Sequence, residues 1–237
     1  QFFDRSIGGD ECDEDEENED FMAGAVESVL DLCVARGVPG RMLRWHYRSR
    51  HHSLIALSNR EFYESRLFVV PSPEEESVLR GLHFRFIQNG VYDRGGSRTN
   101  RIEACAVAKA VMDHALDTQH STSTERWSLG VGTFSGNQRD AILDELELLR
   151  RQNPQAESFF AEGNDEPFFV KNLENIQGDE RDVILISVGY GKDRDGYFAM
   201  GFGPLSADGG ERRLNVLITR ARQRCEVFSS ITGDDID

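Results

Sequence analysis

The sequence predicts an α/β protein, a parallel sheet with helices on both faces. Three observations lead there. Short apolar runs of strand length alternate along the chain with longer segments whose apolar residues recur at helical spacing. The run Val183-Ile184-Leu185-Ile186-Ser187-Val188 is apolar almost throughout, as a central strand covered on both sides must be. Helix signals bound the helical segments: Gly37 and Pro39 stop one, and Asn100, three residues before Glu103, starts another.

Taken in order, Phe21 to Arg36 is expected as a helix, with Phe21, Val26, Val29, Leu30, Cys33 and Val34 on one face. Met42 to Tyr47 reads as a short strand, Ser53 to Tyr63 as a helix, and Pro71-Ser72-Pro73 as a loop. Leu82 to Ile87 alternates as a strand does. Asn100 is placed to cap a helix running to Leu116, with Glu103 reaching back to it in a capping box. Ser128 to Phe134 is a strand, Asn137 to Arg150 a helix, and Phe168 to Leu173 and Asp182 to Val188 are strands. Arg212 to Arg222 follows as a helix and Glu226 to Ile231 as the last strand. Residues 189–210, rich in glycine, read as an exposed excursion. In parallel sheets ligands gather beyond the carboxyl ends of the strands. That rule directs attention to the loops after residues 47, 134, 173 and 188.

Composition narrows the function. The chain has 237 residues, enough for a sizeable core, and a net charge of −15. Nine acidic residues crowd positions 10–20, so residues 1–20 are expected to be a flexible, solvated leading segment and residues 21–237 the folded domain. The acidity argues against indiscriminate binding of nucleic acid but leaves room for a local basic groove. Cys12, Cys33, Cys105 and Cys225 form no C-x-x-C pair, which favours reduced cysteines in a cytoplasmic protein over a zinc or redox site. No apolar stretch is long enough for a membrane span, and the start, QFFDRS, has neither initiator Met nor signal-peptide features. It is expected to be a piece of a longer protein.

Four segments carry candidate chemistry. The first, WHYRSRHHSLIALSNREFY (45–63), places Arg48 at a strand-to-helix junction. The second, VGTFSGNQRDAI (131–142), does the same for Thr133 and Gln138. NLENIQGDERDVI (172–184) sets a polar knot, Gln177-Gly178-Asp179-Glu180, before an apolar strand. GGERRLNVLITRAR (209–222) concentrates arginines in an acidic chain, with Arg220 off the stripe Leu214–Leu217–Ile218–Ala221. Guanidinium groups match phosphate oxygens bidentately. A cation in a helix's last turn also suits the helix dipole, so a purely structural Arg220 stays open. His46, His51 and His52 lack the acidic or thiol partners of a metal set, and no metal site is assigned.

Together the four segments resemble the second RecA-like domain of superfamily 1 helicases, the branch that contains the nonsense-mediated-decay type enzymes. YRSR resembles motif IV, VGTFSGNQ the V-x-T-P-Y-x-x-Q element, IQGDERDVILIS motif V and GGERRLNVLITRAR motif VI. VKNLENIQGDERDVILISVGYG followed by FGPLSADGGERRLNVLITRARQR looks like the helicase region of large bacterial proteins. The resemblance implies a RecA-like sheet, and ATP with Mg²⁺ bound between this domain and the protein's own first RecA-like domain, which holds the metal. It implies Arg48 and Arg220 as arginine fingers on the γ-phosphate and Glu180 on the ribose, with Gln177, Gly178 and Arg213 at the nucleotide. It implies Thr133, Gln138 and Asn175 at the nucleic acid, with DNA the first candidate. The sequence itself contains no G-x-x-x-x-G-K-[ST] phosphate loop. Phe134-Ser135 replaces the usual Pro-Tyr, and Arg50-His51 the usual His-Pro. Two other readings stand beside this one: a RecA-like binding module without catalysis, and a metal nuclease using the histidines with Asp179, Glu180 or Asp182.

Overall fold

The apolar run from Val183 becomes the middle strand of a five-stranded parallel sheet. The computed structural model describes residues 29–42, 44–73, 77, 79–117, 127–207 and 209–236, which fall into two units, Gln1–Leu43 and Arg44–Asp237. The acidic leading segment lies outside the described residues, as does the start of the first expected helix.

In the first unit, α1 (Val29–Ala35) ends where the sequence places a stop. Gly37 takes φ +70°; its N–H donates to Val34 O and that of Val38 to Cys33 O, each at 3.0 Å. That pair of bonds satisfies the carbonyls a helix end leaves over.

The second unit contains α2 (Ser53–Phe62), β1 (Gly81–Phe86), α3 (Arg101–Leu116), β2 (Leu129–Thr133) and α4 (Gly136–Gln152). After a 3₁₀ turn at Pro154–Phe160 come β3 (Phe169–Asn172), β4 (Arg181–Ser187), α5 (Gly210–Ile218) and β5 (Ala221–Ser229). The strand order is β1-β5-β4-β2-β3, all parallel. Side chains alternate across β4. Val183 and Leu185 pack under α3 and α4; Ile184 and Ile186 face α2, α5 and the loop after β3. Burying such side chains contributes about 1.5–3 kcal/mol each. Gly132 permits a close approach of α5 to the sheet, because a Cβ there would stand 2.4 Å from the Leu217 side chain. This is a RecA-like α/β sheet with helices on both faces.

Several expectations change in detail. Among the described residues of the strand expected over Met42 to Tyr47, Trp45 makes an isolated bridge to Phe68, apart from the five-stranded sheet. Residues 189–210 are anchored better than their glycines suggest: Tyr190, Phe198, Phe202 and Leu205 pack on the α5 side of the core. The helix expected over Arg212 to Arg222 stops at Ile218, and β5 begins at Ala221. Thr219 stands at that end, and Ala221 pairs with Arg181 of β4. The Thr219 hydroxyl donates back to Asn215 O at 2.8 Å and its N–H to the same carbonyl at 3.2 Å, closing the last turn on itself. Ala221 fits a helical stripe and a buried strand equally well, so periodicity placed it wrongly.

The capping box at α3 forms only by half. Asn100 accepts the Glu103 N–H at 3.2 Å, but the Glu103 carboxylate turns inward and accepts from Ser187 Oγ (2.6 Å) and Gly189 N (2.7 Å). Its other oxygen is buried without a partner. Burial pushes its pKa up to about 7, against the opposing pull of those donors. A raised carboxyl pKa gives stability that is complete below the ordinary value of 4.5 and is lost as pH rises to about 7, because only the unfolded chain releases its proton there. The thermal midpoint is therefore expected to fall between pH 5 and pH 8, by a stability on the order of 3 kcal/mol. Glu103→Gln should flatten that slope. An equally steep profile in the variant would show that Glu103 is not its source.

Candidate functional site

Two adjacent strands, β4 and β5, begin one residue after Glu180 and Arg220. Both side chains thus stand at the amino edge of the sheet, opposite the edge to which the carboxyl-end rule pointed. Arg48 arrives there from the chain before α2, because Arg50 N donates to Arg222 O at 2.7 Å. The structure so brings together three of the expected residues, which are far apart in sequence.

Arg48 Nε donates to Glu180 Oε2 at 2.6 Å, and Nη1 reaches Thr219 O, the carbonyl preceding Arg220, at 3.3 Å. Arg220 is half-buried. Its Nε donates to Val216 O at 2.8 Å, and no carboxylate among the described residues pairs with it. Burial lowers its pKa first and the nearby Arg48 charge lowers it further, against the pull of Glu180 and Asp179. Two guanidinium groups therefore stand together with only Arg48 bonded to a carboxylate, and the half-buried Arg220 is without a directly paired one. Such an arrangement favours an anion.

Arg222 belongs to the arginine-rich segment noted in the sequence, but the structure turns it to carboxylates. Its Nη1 donates to Glu166 Oε1 at 2.6 Å and its Nε to Asp182 Oδ1 at 3.0 Å, while Nη2 pairs with Glu166 Oε2. Its Nη1 also stands 3.7 Å from Glu180 Oε1. The Glu166 bonds, then Asp182, hold its pKa well above the usual arginine value, and the same pairing holds Glu166 below the usual carboxylate range. The available signal was spacing: Glu180 with Asp182 and Arg220 with Arg222 are alternate residues at the starts of adjacent strands.

Residues 173–180 cross from the carboxyl end of β3 to the amino end of β4. Buried Ile176 pins the crossover, as does Asp179, whose carboxylate holds Lys171 Nζ at 2.6 Å. Between these anchors Gln177 and Gly178 form an exposed tip, with Gly178 at φ +92°. Asn175 is exposed near the other end. Arg213 is exposed in the first turn of α5.

Thr133 and Gln138 are fully buried and do not offer their side chains to a ligand. The Thr133 hydroxyl donates to Ser135 O at 2.9 Å. Gln138 Nε2 donates to Asn100 O and Ser187 Oγ, each at 3.1 Å, and Oε1 accepts from Asn100 N at 2.9 Å. Burial argues against the nucleic-acid contacts expected at these two positions: both side chains are engaged in joining the sheet's carboxyl edge to α3 and α4. Among the described residues no group of three His, Cys, Asp or Glu side chains is placed to hold a metal ion, and no helix is long and apolar enough to cross a membrane.

The model of the AAA domain family matches residues 26–232. The chain belongs to this family, within the superfamily 1 helicases. It is 35% identical over 232 residues to an uncharacterized ATP-dependent helicase, MG140, of Mycoplasma genitalium, and 36% identical to its homolog in Mycoplasma pneumoniae. Each alignment takes in 95% of this chain and 19% of the relative, so the chain spans about a fifth of the length of these curated relatives. Among solved structures, the C-terminal domain of a possible DNA helicase from Lactobacillus plantarum aligns over 77% of this chain and 88% of its own, at 13% identity and a TM-score of 0.36.

Proposed function

We propose that residues 44–237 are the second motor domain of an ATP-dependent nucleic-acid helicase or translocase. Its Arg220 and Arg48 close on the γ-phosphate of ATP held by a first RecA-like domain of the same protein. The observation that carries this reading is the half-buried Arg220 guanidinium, without a carboxylate and beside a second arginine. Polyphosphate supplies the missing negative charge, and the planar guanidinium meets it with paired donors. Glu180 lies beside both arginines and can accept the ribose hydroxyls, with Gln177, Gly178 and Arg213 flanking the nucleotide. Magnesium has no ligand set among the described residues.

In phosphoryl transfer, arginine fingers neutralise charge on the transferring group. Contacts formed only when the two domains meet give ATP binding a means to draw them together, and loss of the γ-phosphate removes that attraction. The crossover 173–180 gives this cycle a mechanical output. One of its ends carries Asn175 at the carboxyl edge, where we place the nucleic-acid backbone; the other carries Glu180 at the phosphate edge. A grip on backbone phosphates and sugars is insensitive to base identity.

The test is a comparison of ATP hydrolysis by the purified 237-residue chain and by the full-length protein, each with single-stranded DNA or RNA. The chain alone should release no phosphate above background, since it contains no phosphate loop. The full-length protein should hydrolyse ATP faster with nucleic acid. Sustained turnover by the chain alone would refute the divided site.

A further inference from the structure

The two groups that this reading assigns to different parts of ATP are bonded to each other. Arg48 Nε, meant for the γ-phosphate, donates to Glu180 Oε2 at 2.6 Å, and Glu180 is meant for the sugar. Neither side chain can serve ATP fully while that bond persists. Arg48 also holds Thr219 O at 3.3 Å, beside the Arg220 backbone, so its withdrawn position is fixed at two points.

We propose that Glu180 is a counter-ion that restrains Arg48 until a nucleotide sugar claims it, so that recognition of the sugar releases the finger. The proposal rests on the reading of Arg48 and Glu180 given above. Hydroxyl groups of a ribose donate to carboxylate oxygens. Once they occupy Glu180, its bond to Arg48 competes with theirs, and Arg48 is free to follow the phosphate charge. The exchange leaves no stranded carboxylate. Arg222 Nη1 stands 3.7 Å from the other oxygen, Oε1, and is anchored by Glu166 and Asp182, so a cation stays beside Glu180 when Arg48 departs. The partners differ in exposure, 22% for the Arg48 side chain and 40% for Glu180, so the carboxylate is the member an incoming sugar reaches more easily. The chain thereby distinguishes a nucleoside triphosphate from a bare polyphosphate without a contact dedicated to rejecting the latter. A triphosphate with no sugar must pull Arg48 off an occupied carboxylate unaided.

The experiment measures equilibrium binding of inorganic tripolyphosphate and of ATP to the full-length protein by calorimetry. It compares wild type, Glu180→Gln, Arg48→Ala and the double variant, each first shown to keep its melting temperature. Glu180→Gln is close to isosteric and removes the restraint. It should tighten tripolyphosphate by about five- to tenfold, the range expected for a partly exposed charged hydrogen bond, without tightening ATP. The gain must vanish when Arg48 is absent. An equal gain in the Arg48→Ala background would mean that removing any nearby negative charge suffices, and would overturn the exchange, as would no gain at all. The underlying reading fails separately: if Arg48→Ala leaves ATP binding and turnover unchanged, Arg48 does not meet phosphate and the exchange falls with it. If Arg48→Ala weakens both while Glu180→Gln changes nothing, the finger stands and only the exchange is refuted.

Discussion

Arg220→Ala in the full-length protein is expected to lower nucleic-acid-stimulated ATP turnover by roughly 10³-fold or more, the usual effect of removing an arginine finger. It should leave the fold nearly intact. Arg220 follows the last turn of α5, and its one side-chain bond in this structure goes to Val216 O, a carbonyl at a helix end that water can also satisfy. The guanidinium has no carboxylate to strand and gains little from its neighbour, since burial and the Arg48 charge both disfavour its charged form. The stability change should therefore stay within about 1 kcal/mol. Arg220→Lys should restore little, because a compact ammonium cannot present paired donors to phosphate. Nucleic-acid binding without ATP should be largely unchanged, Arg220 lying on the edge away from Asn175. The deciding comparison is kcat against melting temperature. Near-normal kcat would remove Arg220 from the mechanism; collapse of both would make it a residue that holds the helix end.

Much of the fold could be read from the sequence where burial dictates periodicity. The central position of β4 followed from its unbroken apolar run, and Gly37 and Asn100 marked a helix end and a helix start through backbone chemistry that is local. The boundary between α5 and β5 could not be read so, because Leu217, Ile218, Ala221 and Cys225 are all buried and both periods accommodate them. Pairing of Ala221 with Arg181 of β4, a contact that no local period announces, takes the chain into the sheet. The candidate site's residue types stood in the sequence, but their place in the fold did not. Arg220 and Glu180 come together because β4 and β5 are neighbours, yet they do so at the amino edge, since each precedes its strand, and Arg48 joins them through the Arg50–Arg222 backbone bond. Pairing was beyond the sequence altogether. Nothing local says that Arg48 meets Glu180, that Arg222 takes Glu166 and Asp182, or that the Glu103 carboxylate leaves its own helix cap for Ser187.

Gln138 is where sequence pattern and physical role part most sharply, and Gln138→Ala is expected to destabilise the protein by about 3 kcal/mol or more. The side chain is 0% exposed and makes three hydrogen bonds: it accepts from Asn100 N and donates to Asn100 O and Ser187 Oγ. Alanine removes all three and leaves a buried backbone N–H without its partner, with each such orphan costing about 1–3 kcal/mol. It also opens a hole at a junction where Gly189 lies against the Gln138 stem, which adds to the loss. Because Asn100 caps α3 and Ser187 ends β4, the damage should spread to both, and Ser187 is also the hydroxyl that Glu103 accepts. Gln138→Glu is a sharper variant of similar shape. It keeps the acceptor for Asn100 N but turns a carboxylate oxygen toward Asn100 O, next to the buried Glu103, so it should be tolerated at acid pH and become destabilising as pH rises. Urea unfolding of the chain at pH 5 and pH 8 separates these outcomes from a ligand contact. A residue whose task is to touch nucleic acid would leave the unfolding midpoint in place and move only the affinity for the strand. A structural clamp lowers the midpoint with no nucleic acid present, and an unchanged midpoint in both variants would restore the nucleic-acid role that burial argues against.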